Sequence, residues 1–400
     1  MQDQTVTVIG EALIDLVPGD SPLEFTATPG GSPYNVAIGL ARLGQDTTLM
    51  ARLADNAFGR ILRGRAVAEG IDLSASAQAE EPTTLAVVSL DTEGQAAYDF
   101  YFDGTADWQW TAEETRHAPA STTVLHFGSI ASWTSPGAAH VIELARRMRA
   151  RGDVLVSYDP NIRPSLLADR EHARRMVERG IRNAHVAKAS AEDLGWLYPG
   201  QPWEEVAQHW LQLGAVLVLI TAGANGAHAF TATGPPLYRP APDVRVADTV
   251  GAGDSFTAGL LASLIRRQWQ APERLAQCTA EELSAVLDDA ITVSAITCER
   301  TGASPPTLAE LADWRRRPGR TVGRRARPEP PGGDGCLGAV QGTPPAGIEE
   351  LTGRTVGAGR RGTLRHLGSA LLRPRVAGLR GGLPFGLGVD LAAEQDRQAR

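Results

Sequence analysis

The string Asp248-Thr249-Val250-Gly251-Ala252-Gly253-Asp254-Ser255-Phe256 uses a glycine-rich turn to deliver one carboxylate to the start of an apolar helix, read over Ser255–Arg267. Gly251 and Gly253 lack a Cβ, so the backbone can approach a ligand closely, and the helix start aims unpaired N–H groups at the same spot. Such a place binds anions. For the Gly-Asp-Ser tripeptide alone an ordinary N-cap is the simpler reading. The whole string does more: two glycines, a small residue between them and a carboxylate combine an anion hole with a general base. Helix N–H groups are expected to lower the pKa of that carboxylate. A weak base suits phosphoryl transfer, because the attacking hydroxyl loses its proton late in a loose transition state.

Other polar residues sit where strands or helices begin and end. In Gly30-Gly31-Ser32-Pro33-Tyr34-Asn35, Ser32 is placed as N-cap and Pro33 as first helical residue, with Asn35 able to reach the helix mouth. The alternative is a plain loop before a core helix. Asp15 interrupts an apolar run after Gly10-Glu11; it is either a solvated strand-end residue or a ligand for vicinal hydroxyls, since open α/β sheets bind ligands at strand carboxyl ends. Asp159-Pro160-Asn161-Ile162-Arg163 adds an acid, an amide and a guanidinium after another strand.

Of 39 basic residues in the 400-residue chain only Lys188 is lysine. No GxxxxGK[ST] phosphate loop can therefore exist, nor the lysine, HRD and DFG set of protein kinases. Lys188 itself is expected to end a strand as a solvated or charge-pairing residue. The three cysteines contain no CxxC pair and the histidines no HExxH, so no structural zinc site is implied. The start lacks a basic n-region, and the longest apolar run, 215–222, has the length of a buried strand. A cytoplasmic protein without membrane contact is the expectation.

The last 86 residues, 315–400, hold 16 Arg and 7 acids, leaving 23 basic and 39 acidic residues before them. An acidic body argues against nucleic acid as its partner. That tail also holds 18 Gly, 8 Pro and one aromatic residue, Phe385, and shows no sustained period. It reads as disordered, or as out-of-frame translation of a GC-rich gene.

Residues 1–314 alternate β-branched runs with amphipathic helical patterns, the signature of a mostly parallel sheet covered by helices. Strands are expected at 5–10, 47–51, 124–128, 154–158, 186–189 and 216–221. Helices are expected at 33–43, 137–151, 170–183, 203–213, 255–267 and 280–299. The segment 84–102, with its Asp91-Thr92-Glu93-Gly94 turn, reads instead as an antiparallel hairpin. Its aromatic end, Tyr98 to Phe102, should cover something or pair with another chain.

GEALIDL at 10–16, GGSPYNVAIGLARLG at 30–44, DNAFGR at 55–60, DPNIRP at 159–164, TAGANGA at 221–227, DTVGAGDSF at 248–256 and TGASPP at 301–306 occur in order. Together they resemble the ribokinase-like (PfkB) carbohydrate kinases, especially the fructokinase branch, over about residues 5–314. The resemblance implies a three-layer α/β/α fold with a mostly parallel central sheet and a small β-sheet lid, formed by about 12–30 and 84–106. It implies ATP-dependent phosphorylation of a hydroxymethyl group on a small carbohydrate, D-fructose first; ribose, 2-keto-3-deoxygluconate and a nucleoside stay open, as does a non-catalytic sugar or nucleotide sensor. Asp254 matches the catalytic base, and Gly251, Ala252 and Gly253 the anion hole. Asp15, Gly31 and Asn35 match the sugar-binding positions, with Arg163 as a phosphate or sugar contact on the substrate. Thr221, Gly223 and Gly226 match the nucleotide loop. Asp248 and Thr249 match part of a monovalent-cation site that would take K⁺. The family's Asn-x-x-Glu motif, linked to Mg²⁺, reads here Ser190-Ala191-Glu192-Asp193, with Asp193 in the place of the Glu. A lid-mediated homodimer is the implied assembly.

Overall fold

A computed structural model describes residues 5–317 except Asp20, Pro22, 91–95 and Ala168. The hairpin turn at 91–94 and the tail beyond Arg317 lie outside the described residues. The first half of the chain carries strands β1 (Thr5–Ile9), β2 (Leu13–Pro18), β3 (Phe25–Gly30), β4 (Thr47–Met50), β5 (Arg52–Ala54), β6 (Ala77–Ala79), β7 (Leu85–Leu90) and β8 (Ala96–Tyr101). The second carries β9 (Thr122–Gly128), β10 (Leu155–Asp159), β11 (Val186–Ser190), β12 (Leu217–Thr221), β13 (Ala227–Thr231) and β14 (Leu237–Arg239). Helices are α1 (Ser32–Arg42), α2 (Ala57–Ala68), α3 (Ala138–Arg151), α4 (Arg170–Ile181) and α5 (Ala191–Leu197), followed by α6 (Trp203–Leu213), α7 (Ala252–Arg266), α8 (Pro272–Ala276), α9 (Ala280–Cys298) and α10 (Leu308–Arg316).

Among the described residues, eight strands form one sheet in the order β14-β13-β12-β11-β10-β9-β1-β4. From β4 to β12 every neighbour is parallel, and β13 and β14 finish the edge antiparallel. Alternation along each strand sends apolar residues to both faces. Leu217 and Leu219 of β12 join a core with α1, α2 and α7 to α10, whereas Val218 and Ile220 join one with α3 to α6. The result is the expected three-layer α/β/α fold. Because β1 leads to β4 on one side and neighbours β9 on the other, the strand order reverses beside β1, which is where open α/β sheets bind ligands.

A second sheet, β3-β2-β7-β8, is built from the segments read as a lid, with β7 and β8 pairing as the expected hairpin. It joins the body just after β1 and just before α1. Leu23, Phe25 and Tyr101 are exposed on it.

Helices α1 and α7 cross closely because Gly39 faces Ala258: a Cβ at Gly39 would lie 2.6 Å from the Ala258 Cβ. Interiors packed to crystal-like density cannot absorb such a change without backbone movement. Gly39→Val is expected to destabilise the fold by about 1–3 kcal/mol, read from urea unfolding; an unchanged midpoint would contradict this account of the helix crossing.

Candidate active site

The Gly251 backbone is left-handed, at φ 74°, and serves as N-cap of α7 without any side-chain cap. A Cβ there would lie 2.6 Å from the Ala303 Cβ, so a side chain is excluded twice, by conformation and by space. The helix begins at Ala252, three residues earlier than the sequence predicts, so Asp254 sits within its first turn rather than ahead of it. Ala252 N–H donates to the Thr249 carbonyl at 3.2 Å, and Ser255 N–H to the Gly251 carbonyl at 2.8 Å. The N–H groups of Gly253 and Asp254 take no acceptor among the described residues and are the donors available to an anion. Of the three residues read as anion hole, Gly253 thus offers a free donor, Gly251 the turn, and Ala252 a donor already engaged.

The Asp254 carboxylate is clasped from α1. Ser32 Oγ donates to Oδ1 at 2.7 Å and Asn35 Nδ2 to Oδ2 at 2.9 Å. Ser32 is therefore not the N-cap of α1; Gly31, at φ 102°, takes that place, and Ser32 turns its hydroxyl to Asp254. The expected lowering of the Asp254 pKa is also reversed. Burial dominates and raises it, while the bonds from Ser32 and Asn35 and the charge of Lys188 pull it part of the way down. Helix N–H groups do not decide the outcome, because leaving water costs a carboxylate more than a helix end returns.

Asp15 lies in β2 with its carboxylate over Gly30, where a Cβ would collide with Oδ2. Burial pushes it up to about 6; Arg163 acts against this shift and Asp254 with it. Gly31 leaves no room for a side chain, since a Cβ would meet the Glu11 carbonyl at 2.7 Å. Arg163 folds back on its own loop, donating from Nη1 to Asn161 Oδ1 at 2.8 Å. Asn161 itself is left-handed at φ 41° and donates from Nδ2 to Ser129 Oγ. Ser129 likewise has positive φ, at 52°, so backbone strain gathers at this edge of the sheet. Tyr98 of β8 is a residue the sequence assigned only to a generic cover; the charges of Asp15, Arg163 and Asp248 all act on it.

Farther along the strand ends, Thr221 closes β12, and Gly223 and Gly226 bound a short turn with positive φ at both. The space beside Gly223 is open, whereas Gly226 packs on the Arg239 carbonyl. Asp248 is a loop fastener: Val250 N–H donates to Oδ1 at 3.0 Å and Gly302 N–H to Oδ2 at 2.8 Å, while Thr249 accepts from Ala252. Asp193 is similar, with Ile162 N–H on Oδ1 at 2.9 Å and Ser190 N–H on Oδ2 at 3.0 Å, and it completes a capping box with Ser190 on α5.

No group of three His, Cys, Asp or Glu among the described residues could hold a metal ion. Mg²⁺ at phosphoryl-transfer sites is commonly held by one or two carboxylates together with substrate phosphates and water. Asp193, the carboxylate matched to that role, is buried, and each of its oxygens accepts one backbone N–H, leaving a further lone pair on each.

Two groups escaped the sequence reading and a third, Lys188, was read only in part. Glu11 is buried under Gly31, accepts from Ala131 N–H, and is raised to about 7 by burial. Asp107 accepts from Ala12 N–H at 2.9 Å, and its Oδ2 is buried without a partner among the described residues. Lys188 is 5 % exposed and paired with Asp159, Nζ to Oδ2, at 2.8 Å. The charge-pairing reading holds, but the residue is neither solvated nor at the end of its strand. The one available signal was its being the sole lysine.

The chain matches the pfkB family carbohydrate kinases over residues 3–310 and belongs to that family. It is 39 % identical over 259 residues to a fructokinase of Rhizobium leguminosarum bv. trifolii, covering 64 % of this chain and 78 % of the relative. Fructokinase from Xylella fastidiosa with bound ATP superposes with a TM-score of 0.73 at 29 % identity, covering 78 % of this chain and 98 % of that one. Fructokinase from Vibrio cholerae O395 in a fructose-, ADP- and calcium-bound form gives 0.68 at 28 % identity, over 78 % and 99 %. The protein is a carbohydrate kinase. Among the described residues no helix is long and apolar enough to cross a membrane.

Burial also raises Asp107, to about 7 from an ordinary 3.8, with the neighbouring Glu11 adding to it. The folded state thus binds a proton that the unfolded chain releases. Its stabilisation is complete below the unfolded pKa and is lost as pH rises through about 7. Asp107→Asn removes that loss, so its melting temperature should gain on the wild type between pH 5 and 8; parallel curves would contradict the assignment.

Proposed function

We propose that the protein is an ATP-dependent fructokinase that phosphorylates a hydroxymethyl group of D-fructose, with Asp254 as general base. The observation that carries this reading is the half-buried Asp254 carboxylate, held at both oxygens by α1 and lying one residue from the Gly253 N–H, which has no acceptor among the described residues. A base fixed at that place meets a hydroxyl and an incoming phosphoryl group at once. Fructose, rather than ribose, 2-keto-3-deoxygluconate or a nucleoside, is supported by the relatives' names and by similarity to a structure solved with fructose.

Asp254 accepts the proton of the attacking hydroxyl. Its raised pKa makes it a stronger base than the sequence predicts, while its hydrogen bonds fix the lone pair that faces the substrate. Asn35 spends Nδ2 on Asp254 and keeps Oδ1 for a sugar hydroxyl, with Asp15, Gly31 and Arg163 completing the sugar site. The Gly251–Gly253 turn receives the transferred group, and N–H donors already in place need no reorganisation as charge develops. Thr221, Gly223 and Gly226 line the nucleotide side. Mg²⁺, reached through Asp193, would neutralise nucleotide phosphates, and K⁺ would sit by Asp248 and Thr249.

The β3-β2-β7-β8 sheet is the lid, closing over the sugar to exclude water. Exposed Tyr101, lining a cavity of about 370 Å³ at the β8 edge, and exposed Phe25 on β3 support pairing with a second copy. The kinase domain is 1–314, cytoplasmic, with sugar and ATP as its partners and the tail outside it. A non-catalytic sensor is disfavoured, since a binder needs no base beside an anion turn.

Asp254→Asn should bind fructose normally while losing about 10²–10⁴-fold in turnover, measured as ADP release with Mg²⁺ and K⁺. Near-normal turnover would overturn the base assignment. Across fructose, ribose, 2-keto-3-deoxygluconate and adenosine, preference for fructose is expected; another preferred acceptor would move the substrate and keep the mechanism.

A further inference from the structure

Lys188 sits in β11 on the face shared with Val186, which packs in the same core as α7. Its Nζ is 3.0 Å from where a Cβ of Gly253 would stand, so the ammonium lies directly beneath the first turn of α7. Asp159 takes one of its three N–H donors and is itself fixed, its Oδ1 accepting from Asn161 N–H at 3.1 Å. The other two donors have no protein acceptor among the described residues. A chain with 38 arginines keeps its one lysine here, where a compact point charge fits under a glycine and a planar guanidinium on a longer stem does not.

An ion pair buried this deeply is a poor source of stability, because desolvation cancels most of the attraction. Its position indicates another use. The charged neighbours of Lys188 are Asp159, Asp193 and Asp254. His126 on β9 also feels the ammonium, and burial with that charge lowers it to about 3, so it stays neutral. Three carboxylates and one cation thus share one region, with the ammonium beneath the helix turn that carries Asp254.

We propose that Lys188, clamped by Asp159 beneath Gly253, is a positioning residue for the transfer: it is the fixed counter-charge that holds the first turn of α7 and keeps Asp254 in its reactive, ionised form. The proposal rests on Asp254 being the base. Lys188 touches neither substrate in this role and acts through Asp254. The charge must be preformed, since an aqueous counter-ion would be expelled when the site closes.

The test compares kcat and KM against pH for wild type, Lys188→Met and Asp254→Asn. Lys188→Met should lose about 10–100-fold in kcat at pH 7, with the acid limb displaced to higher pH, partial recovery at alkaline pH and fructose KM within about twofold. Equal loss at every pH would overturn the proposal, pointing to direct phosphoryl contact or a purely structural role. Full activity of Lys188→Met would also overturn it.

Should Lys188→Met fail to fold, ¹⁵N-lysine labelling of the wild type and Asp254→Asn gives a single Nζ resonance. That resonance should shift with pH as Asp254 ionises in the wild type and lose that part of its shift in Asp254→Asn, keeping only what Asp159 and Asp193 contribute. Identical traces would overturn the proposal. An active Asp254→Asn would instead sink the base assignment, so the two failures are separable.

Discussion

A carboxylate removed from water must find donors, and Asp254 finds them 219 and 222 residues away, on Asn35 and Ser32. This clasp ties the N-terminus of α1 to the N-terminus of α7 and so joins the two glycine-rich strings of the sequence into one site. Much of the surrounding fold serves that juncture. The α1–α7 crossing depends on Gly39 having no side chain, and α7 is held from its other side by α9, where Ser294 donates to the Ala252 carbonyl at 2.9 Å. The helix turn can therefore offer Gly253 and Asp254 N–H groups without fraying, since its carbonyls are secured from behind.

Beneath the turn the sheet changes character. Its strands are apolar through their middles, yet His126, Ser157, Asp159 and Lys188 lie on the face shared with Val124, Leu155 and Val186. His126 Nδ1 and Ser157 Oγ are 3.1 Å apart, and Lys188 pairs with Asp159. Polar residues are admitted where each finds a partner. The polar stripe runs toward the strand carboxyl ends, where a parallel sheet places its ligand. Specificity of position, rather than stability, is what such buried polar groups can provide.

The layered α/β/α fold was legible because strand and helix periods are local, and the six body strands and six helices lie close to their expected places. The glycine strings were legible as well, since a positive-φ turn restricts which residues can stand there, as at Gly31 and Gly251. What escaped the sequence depended on distance. Nothing near Ser32 announces that its hydroxyl goes to Asp254 instead of capping α1. The Asp254 pKa was expected low from its helix end alone; burial by elements far away in sequence reversed it. For Lys188 the sequence left solvated and charge-pairing readings open, because its partner Asp159 sits on the adjacent strand, and Glu11 and Asp107 gave no local sign of meeting beside Ala12.

The clasp makes a quantitative demand that no other part of the account shares: Ser32 should matter only through Asp254. A double-mutant cycle on kcat/KM for fructose, with Ser32→Ala, Asp254→Asn and the two combined, measures this directly. Ser32→Ala should cost about 10–100-fold in the wild type, the worth of a hydrogen bond to a buried charge, and add almost nothing once Asp254 is Asn. Independent, multiplying losses would contradict the claim that α1 builds this site by holding Asp254.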